Sequence, residues 1–426
     1  MRIIYRFKNT DIFCFCVALC IIIMMKPYFV WSSFSNAFKI LANLFVVIVV
    51  AYEYLHIFKI GRIENEQAIL TLMILIYMVY RIINSASFSI TYHLKVSFVI
   101  FQLIAFILLT EEERFKVFEY FKNIFCFIIL MGLLTYPFAM LNVRIMGLGG
   151  NLYSESEVWA EGGFYYKNYI LAIYTANDSM PWYVGRFCAL FNEPGLVGTF
   201  SALILIADQA KLSKRKNTII LLGGLLSFSF AFYILLFLYL LFSGGIFEAL
   251  KTSKGRKVFS FFTFLLIIVM IVVLSNSSFY NKLNDLLFSR VRGLIAGQDN
   301  RTTSAFDDLY SDFLSNGSIS EHIFGHGFGT IVKNESTTNT SSYKTQVYDL
   351  GYFGLFYLYV ICAYAALSLN RTGKNKSKWI LLGLFIISTY QRIGVLDVAY
   401  FSILICGGKE ACSQEKGNKI NYLILE

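Results

Sequence analysis

The sequence predicts an all-α polytopic membrane protein of about twelve transmembrane helices with two large outward-facing loops, and three observations carry that expectation. Of its 426 residues, 57% are hydrophobic and only 15% charged, more apolar surface than a soluble core of this size can hide. The apolar residues lie in long continuous runs, not in the alternation of an outer-membrane barrel. The basic residues sort onto one side of those runs.

A spanning helix needs roughly 20 mostly apolar residues, because about 30 Å of hydrocarbon is crossed at about 1.5 Å per residue. Before the first long polar segment, 142–185, such runs lie at 12–30, 37–57, 68–83, 94–110 and 122–141. Between it and the second, 275–345, they lie at 187–208, 218–230, 232–248 and 258–274; after it, at 346–369, 379–391 and 393–408. With a cytoplasmic N-terminus, the clusters around Arg6, Lys59, Lys116, Lys214, Lys254, Lys374 and Lys416 all fall inside, which is 23 of the 37 Lys and Arg. The formal charge of +10 therefore sets orientation and is no signal for nucleic acid. Residues 218–248 join basic loops on one side, so they cross an even number of times and turn around Ser227 to Phe230; 379–408 turn likewise near Gln391 and Arg392. Both termini are then cytoplasmic and both polar segments outside.

Neither outer segment holds one of the eight cysteines, which read as small apolar fillers and not as a disulfide framework. Lys26-Pro27-Tyr28 follows the first run where a signal peptide would carry a small-residue cleavage site, so that run reads as a retained helix. No internal repeat or soluble domain interrupts the chain, and 1–426 reads as a single transmembrane domain.

Five constellations bear chemistry. The stretch Gly185 to Gly198 sets Arg186, Glu193, Pro194 and three glycines where the chain re-enters an apolar helix. A helix continuous from 187 would be kinked by Pro194; a later start would make Asn192 the N-cap, with Pro194 in the first turn. Arg186 and Glu193 lie near the outer surface in both cases, and the bland alternative is a snorkelling arginine neutralised by its acid. The second outer segment holds Arg290, Arg292 and Arg301, whose planar forks suit phosphate oxygens. In residues 304–314, Phe306, Leu309, Tyr310 and Phe313 recur at helical spacing, and Asp307 is placed to complete a capping box with Ser304. The glycines of Gly325-His326-Gly327-Phe328-Gly329 let backbone approach a ligand closely, and no third ligand accompanies His322 and His326 to make a metal site. Finally, Asp349-Leu350-Gly351-Tyr352-Phe353-Gly354 opens the next run with an outward-facing acid and two small residues that read as close helix packing.

In this order the segments resemble the O-antigen polymerase and ligase family, the lipid-linked oligosaccharide polymerases of bacterial envelopes. Arg186 to Gly198 is similar to the family's Arg, Phe, Glu-Pro, Gly element, and Arg301, the amphipathic helix, the Gly325–Gly329 run and Asp349–Gly354 follow as its second-loop features. The likeness covers roughly residues 180–360. It implies a membrane glycosyltransferase-like fold in the bacterial inner membrane. The implied substrate is an oligosaccharide on undecaprenyl pyrophosphate, polymerised at the periplasmic face. It implies a polysaccharide chain-length regulator and membrane lipid as partners, with no nucleic acid, cofactor or metal. Such a transfer needs a cationic clamp for the leaving diphosphate, for which Arg186, Arg290, Arg292 and Arg301 are the candidates. It also needs a base for the attacking hydroxyl: Glu193 first, His326 second, with Asp349 a further acid. An O-antigen ligase shares this chemistry and remains open. A flippase for the same lipid-linked sugar is the competing transporter, although repeated halves and short loops are not seen.

Overall fold

The computed structural model describes residues 9–31, 36–86, 90–141, 150–152, 164–177, 186–211, 214–244, 302–333, 342–370, 375–390 and 394–408. The expected run 258–274 and the turn at Gln391 and Arg392 lie outside them.

The described residues are mostly helical. In chain order the helices are α1 (Asn9–Met24), α2 (Tyr28–Trp31), α3 (Asn36–Ile60), α4 (Asn65–Ile83), α5 (Ile90–Leu108), α6 (Glu111–Met140), α7 (Pro194–Ala207), α8 (Arg215–Leu226) and α9 (Phe230–Ser243). They continue with α10 (Ser304–Asn316), α11 (Ile319–Phe324), α12 (Thr330–Lys333), α13 (Tyr343–Tyr364), α14 (Asn375–Thr389) and α15 (Val398–Cys406). Among the described residues four stretches are long and apolar enough to cross a membrane: Ala37–Ile60, Asn65–Ile83, Glu111–Met140 and Tyr343–Leu369. Thr10–Met24, His93–Leu108, Pro194–Ala207 and Phe230–Ser243 are shorter apolar helices. α3 turns Ile40, Leu44, Ile48 and Leu55 outward, an apolar face that suits lipid and not water. α7 and α15 are buried almost all round and form the interior, as helices apolar on every side do.

Local sequence sets the boundaries. Thr110 and Glu113 close a reciprocal capping box at the start of α6, and Glu64 and Gln67 do so for α4. α8 and α9 meet in the tight hairpin expected at Ser227 to Phe230. Several boundaries differ from expectation: the run 12–30 is split between α1 and α2, with Lys26 at φ 55° between them, α6 begins at Glu111 and not at 122, and two helix starts are shifted. The re-entering helix starts at Pro194, with Glu193 and not Asn192 as N-cap, because proline disfavours helical φ/ψ before it and its missing N–H suits the first helical position. The cap of α10 is Thr303, whose hydroxyl accepts from Phe306 N at 3.2 Å, one residue ahead of the expected box; Asp307 instead accepts from Thr302 Oγ1 and pairs with Lys344 at 3.3 Å.

The expectation of an all-α chain is corrected by a three-stranded antiparallel sheet, β1 (Gly150–Leu152), β2 (Phe164–Asn168) and β3 (Ile173–Asn177), in order β1-β2-β3. Register pairs Tyr166 with Thr175 and Asn151 with Lys167. The aromatic and β-branched residues here favour a half-buried pleat, and Asn168 Oδ1 closes the turn by accepting from Ile170 N at 2.8 Å.

The bundle has two chemically distinct ends. Gln67 and Arg114 both donate to the carbonyls of Ile107 and Leu109, which ties the first turns of α4 and α6 to the end of α5. That end also holds the Lys116–Asp11 pair at 3.3 Å, Lys122 and Lys214 on Asp208 at 3.1 and 3.6 Å, and Lys216 on Asn123 at 2.6 Å. At the other end the sheet meets the last turns of α6, Tyr174 OH donating to Gly132 O at 2.6 Å, and residues 302–333 meet the end of α4. Described parts of both long polar segments thus share one end, opposite the lysine-rich one.

Candidate functional site

At the end opposite the lysine-rich one, α1, α4, α5, α13 and the lead into α15 line a cavity of about 450 Å³. Four charged side chains line it: Lys26 after α1, Arg81 in the last turn of α4, Asp349 in α13 and Asp397 before α15. Ile21, Val96, Ile100 and Leu358 supply an apolar wall.

Glycine geometry builds the site. Gly325, Gly327 and Gly329 adopt φ of 78°, 106° and 86°, the left-handed region that side-chain-bearing residues rarely enter. His326 N then donates to Tyr348 O at 2.8 Å and Gly327 N to Asp349 O at 2.9 Å, laying this loop against α13. α13 is itself broken at Gly351, φ 67° and ψ 179°, where any Cβ would strike the backbone of Ile323 and Phe324. The glycines expected to admit a ligand therefore admit backbone. On its other side the loop is stapled to α4: Asn84 Nδ2 and Tyr80 OH donate to Phe324 O, Tyr80 OH to Leu350 O at 2.7 Å, and Ala86 N to Phe328 O at 3.3 Å.

The staple fixes two groups in the cavity wall. Asp349 Oδ2 accepts from Gly329 N at 3.0 Å. The amides of Thr330 and Ile331 also face the carboxylate, but Oδ1 reaches hydrogen-bond geometry with none of the described residues. Phe328 lies under the Arg81 guanidinium, 3.8 Å from its ring centroid, and Tyr77 is 5.9 Å away. Tyr77 is held by Gln346, whose Nε2 donates to its hydroxyl at 2.6 Å. Asp397 Oδ1 accepts from Ala399 N at 2.6 Å and so caps α15.

Of the candidate catalytic and phosphate-binding residues that lie among the described residues, Asp349 alone lines this cavity. Arg186 donates through Nε to Ser227 O at 3.1 Å and through Nη2 to Phe228 O at 2.9 Å, closing the α8–α9 turn. Glu193 is half-buried at the start of α7, and its side chain makes no capping hydrogen bond. Tyr166 OH, whose phenol burial pushes well above its usual range, donates to Asn192 O at 2.6 Å and pins the turn before Glu193. This segment adjoins the cavity through Lys26: Pro27 bridges Phe191, and Tyr28 N donates to Leu190 O at 2.7 Å. His326 packs on Tyr348 and Phe313 with Nδ1 3.6 Å from Glu321 Oε1, and His322 Nε2 donates to Phe313 O at 2.6 Å. Arg290, Arg292 and Arg301 lie outside the described residues.

Lys26, Arg81 and Asp397 were missed from sequence although a signal existed. Arg81 and Asp397 are charges inside apolar runs, which are costly unless used, and Lys26 is a cation on the side that the positive-inside pattern leaves poor in lysine. No protein-family model, curated protein or solved structure matches the chain.

Proposed function

We propose that this chain is a membrane glycosyltransferase of O-antigen polymerase type. It joins undecaprenyl-pyrophosphate-linked oligosaccharide repeat units into a surface polysaccharide at the outer face of the bacterial inner membrane. About twelve crossings and cytoplasmic termini belong to the same proposal, supported by the lysine-rich end opposite the cavity. The observation that carries the reading is the cavity at the other end, where a carboxylate oxygen without a hydrogen-bond partner among the described residues accompanies two cations and an apolar wall.

Those groups match the demands of the reaction. The acceptor hydroxyl gives its proton to Asp349 Oδ1, and its oxygen bonds to the anomeric carbon. The bond from that carbon to the diphosphate oxygen breaks, and the electron pair leaves on the diphosphate, where fixed cations stabilise it. Asp349 suits the base role better than Glu193 or His326 because it alone of the three lines the cavity and is oriented by a backbone amide. Cells lacking the gene test the assignment: lipopolysaccharide carrying a single repeat unit is the expected phenotype. Lipopolysaccharide with no repeat unit would point to a ligase or a flippase instead.

A further inference from the structure

We infer that Glu53 is a proton-binding site within the membrane, reached from the cavity. It goes beyond the glycosyl-transfer reading and does not depend on it. Glu53 lies in α3, within the long apolar stretch Ala37–Ile60, on the inward face that it shares with Val46, Val49, Val50 and Ile57. It is 1% exposed, and neither carboxylate oxygen has a hydrogen-bond partner among the described residues. An ionised carboxylate is not carried in such surroundings without a partner; the group holds a proton instead, and an acid kept at this depth is costly unless it is used.

The surroundings suit a proton better than a metal ion. α1, α3 and α5 converge here: Gln102 Nε2 donates to Cys20 Sγ at 3.3 Å, and the hydroxyl of Tyr54, next to Glu53, donates to Phe101 O at 2.7 Å. Glu53 is close enough to Cys20 and Tyr54 to act on both electrostatically. One carboxyl among a thiol, an amide and a phenol offers too few oxygens for a hard cation, which takes roughly six or more, and no group of three His, Cys, Asp or Glu side chains gathers among the described residues. The packed elements face the acid with uncharged groups: Cys20 and Cys16 from α1 and Gln102 from α5. α2 meets α3 through Phe29 and Phe38 and adds Tyr28, whose hydroxyl donates to Ile170 O at 2.7 Å. The His56–Glu113 pair at 2.7 Å and the Lys116–Asp11 pair at 3.3 Å belong to the lysine-rich end; Lys39 and Lys59 stand near the two ends of α3, and His93 and Lys95 near the start of α5. The cavity gives access, because Gln102, which holds Cys20, and Ile21, next to Cys20 in the chain, both line it.

The test uses the intact protein in detergent and dicyclohexylcarbodiimide, an apolar reagent that attacks protonated carboxyls. Mass spectrometry should find the adduct on Glu53, with that labelling lost in Glu53→Gln and slowed as pH is raised, the direction expected when the proton is released. Infrared spectra supply a second measurement. The wild type should show a C=O stretch of a protonated carboxyl that Glu53→Gln removes, and this band should shift on transfer to D2O without unfolding, more slowly in Gln102→Leu. If Glu53 takes no label and Glu53→Gln leaves the spectrum unchanged, the carboxylate is ionised and the inference falls. A band that shifts in D2O only on unfolding makes Glu53 a sealed packing group and overturns it as well. An unchanged rate of the shift in Gln102→Leu overturns the route through the cavity.

Discussion

Arg186 and Arg81 show how far residue type alone leads. Both are single arginines at the edge of an apolar helix, and the sequence recommends the first because a proline and glycines accompany it. In the fold those neighbours shape the entry to α7, and the Arg186 guanidinium is engaged by the carbonyls of Ser227 and Phe228. Arg186→Lys is therefore expected to act mainly on stability. A lysine cannot span both carbonyls, and losing one charge-assisted hydrogen bond costs about 1.5–3 kcal/mol. Thermal unfolding in detergent should show the loss, while KM for lipid-linked repeat units stays near the wild-type value; a raised KM at unchanged stability would return Arg186 to the diphosphate clamp. Arg81 carried a legible signal, its charge inside an apolar run, but nothing in the sequence says that Phe328, more than 200 positions later, forms its platform.

At the scale of elements, apolar runs were legible because lipid demands length and hydropathy that composition records directly. Residues 37–57 and 68–83 fall within α3 and α4, and the Ser227–Phe230 hairpin follows from charge parity. The sheet is not legible in the sequence, because its short strands sit in a segment that stands out only as polar, and strand pairing depends on partners rather than on local pattern. The glycines of the Gly325–Gly329 loop signal close approach, and the fold shows it, but the partner is the backbone of α13 and of the residues after α4. At Gly327, φ is 106° and an added Cβ would lie 2.8 Å from Ala86 N. Gly327→Ala should then cost about 1–3 kcal/mol through strain alone, and should displace Phe328 with it. Limited proteolysis and thermal unfolding read the first effect, and faster phenylglyoxal modification of Arg81 the second; wild-type behaviour in both would mean that the staple does not set the cavity wall.

For the whole molecule, the two-ended charge distribution predicts a topology. Reporter fusions at Asn168 should be external and at Ser213 and Asn375 cytoplasmic, because Asn168 belongs to the sheet at the cavity end and the other two to basic loops. A cytoplasmic Asn168 would place the cavity on the face where no surface polysaccharide is assembled. The central claim is that the cavity performs glycosyl transfer with Asp349 as its base, and purified protein supplied with lipid-linked repeat units tests it most directly. Asparagine at 349 keeps an oxygen for Gly329 N yet takes up no proton. The wild type should lengthen the glycan, and Asp349→Asn should slow it about 100- to 10,000-fold at unchanged thermal stability, while Glu193→Gln and His326→Ala retain most activity. Failure of the wild type to lengthen the glycan, or full activity in Asp349→Asn, would contradict it.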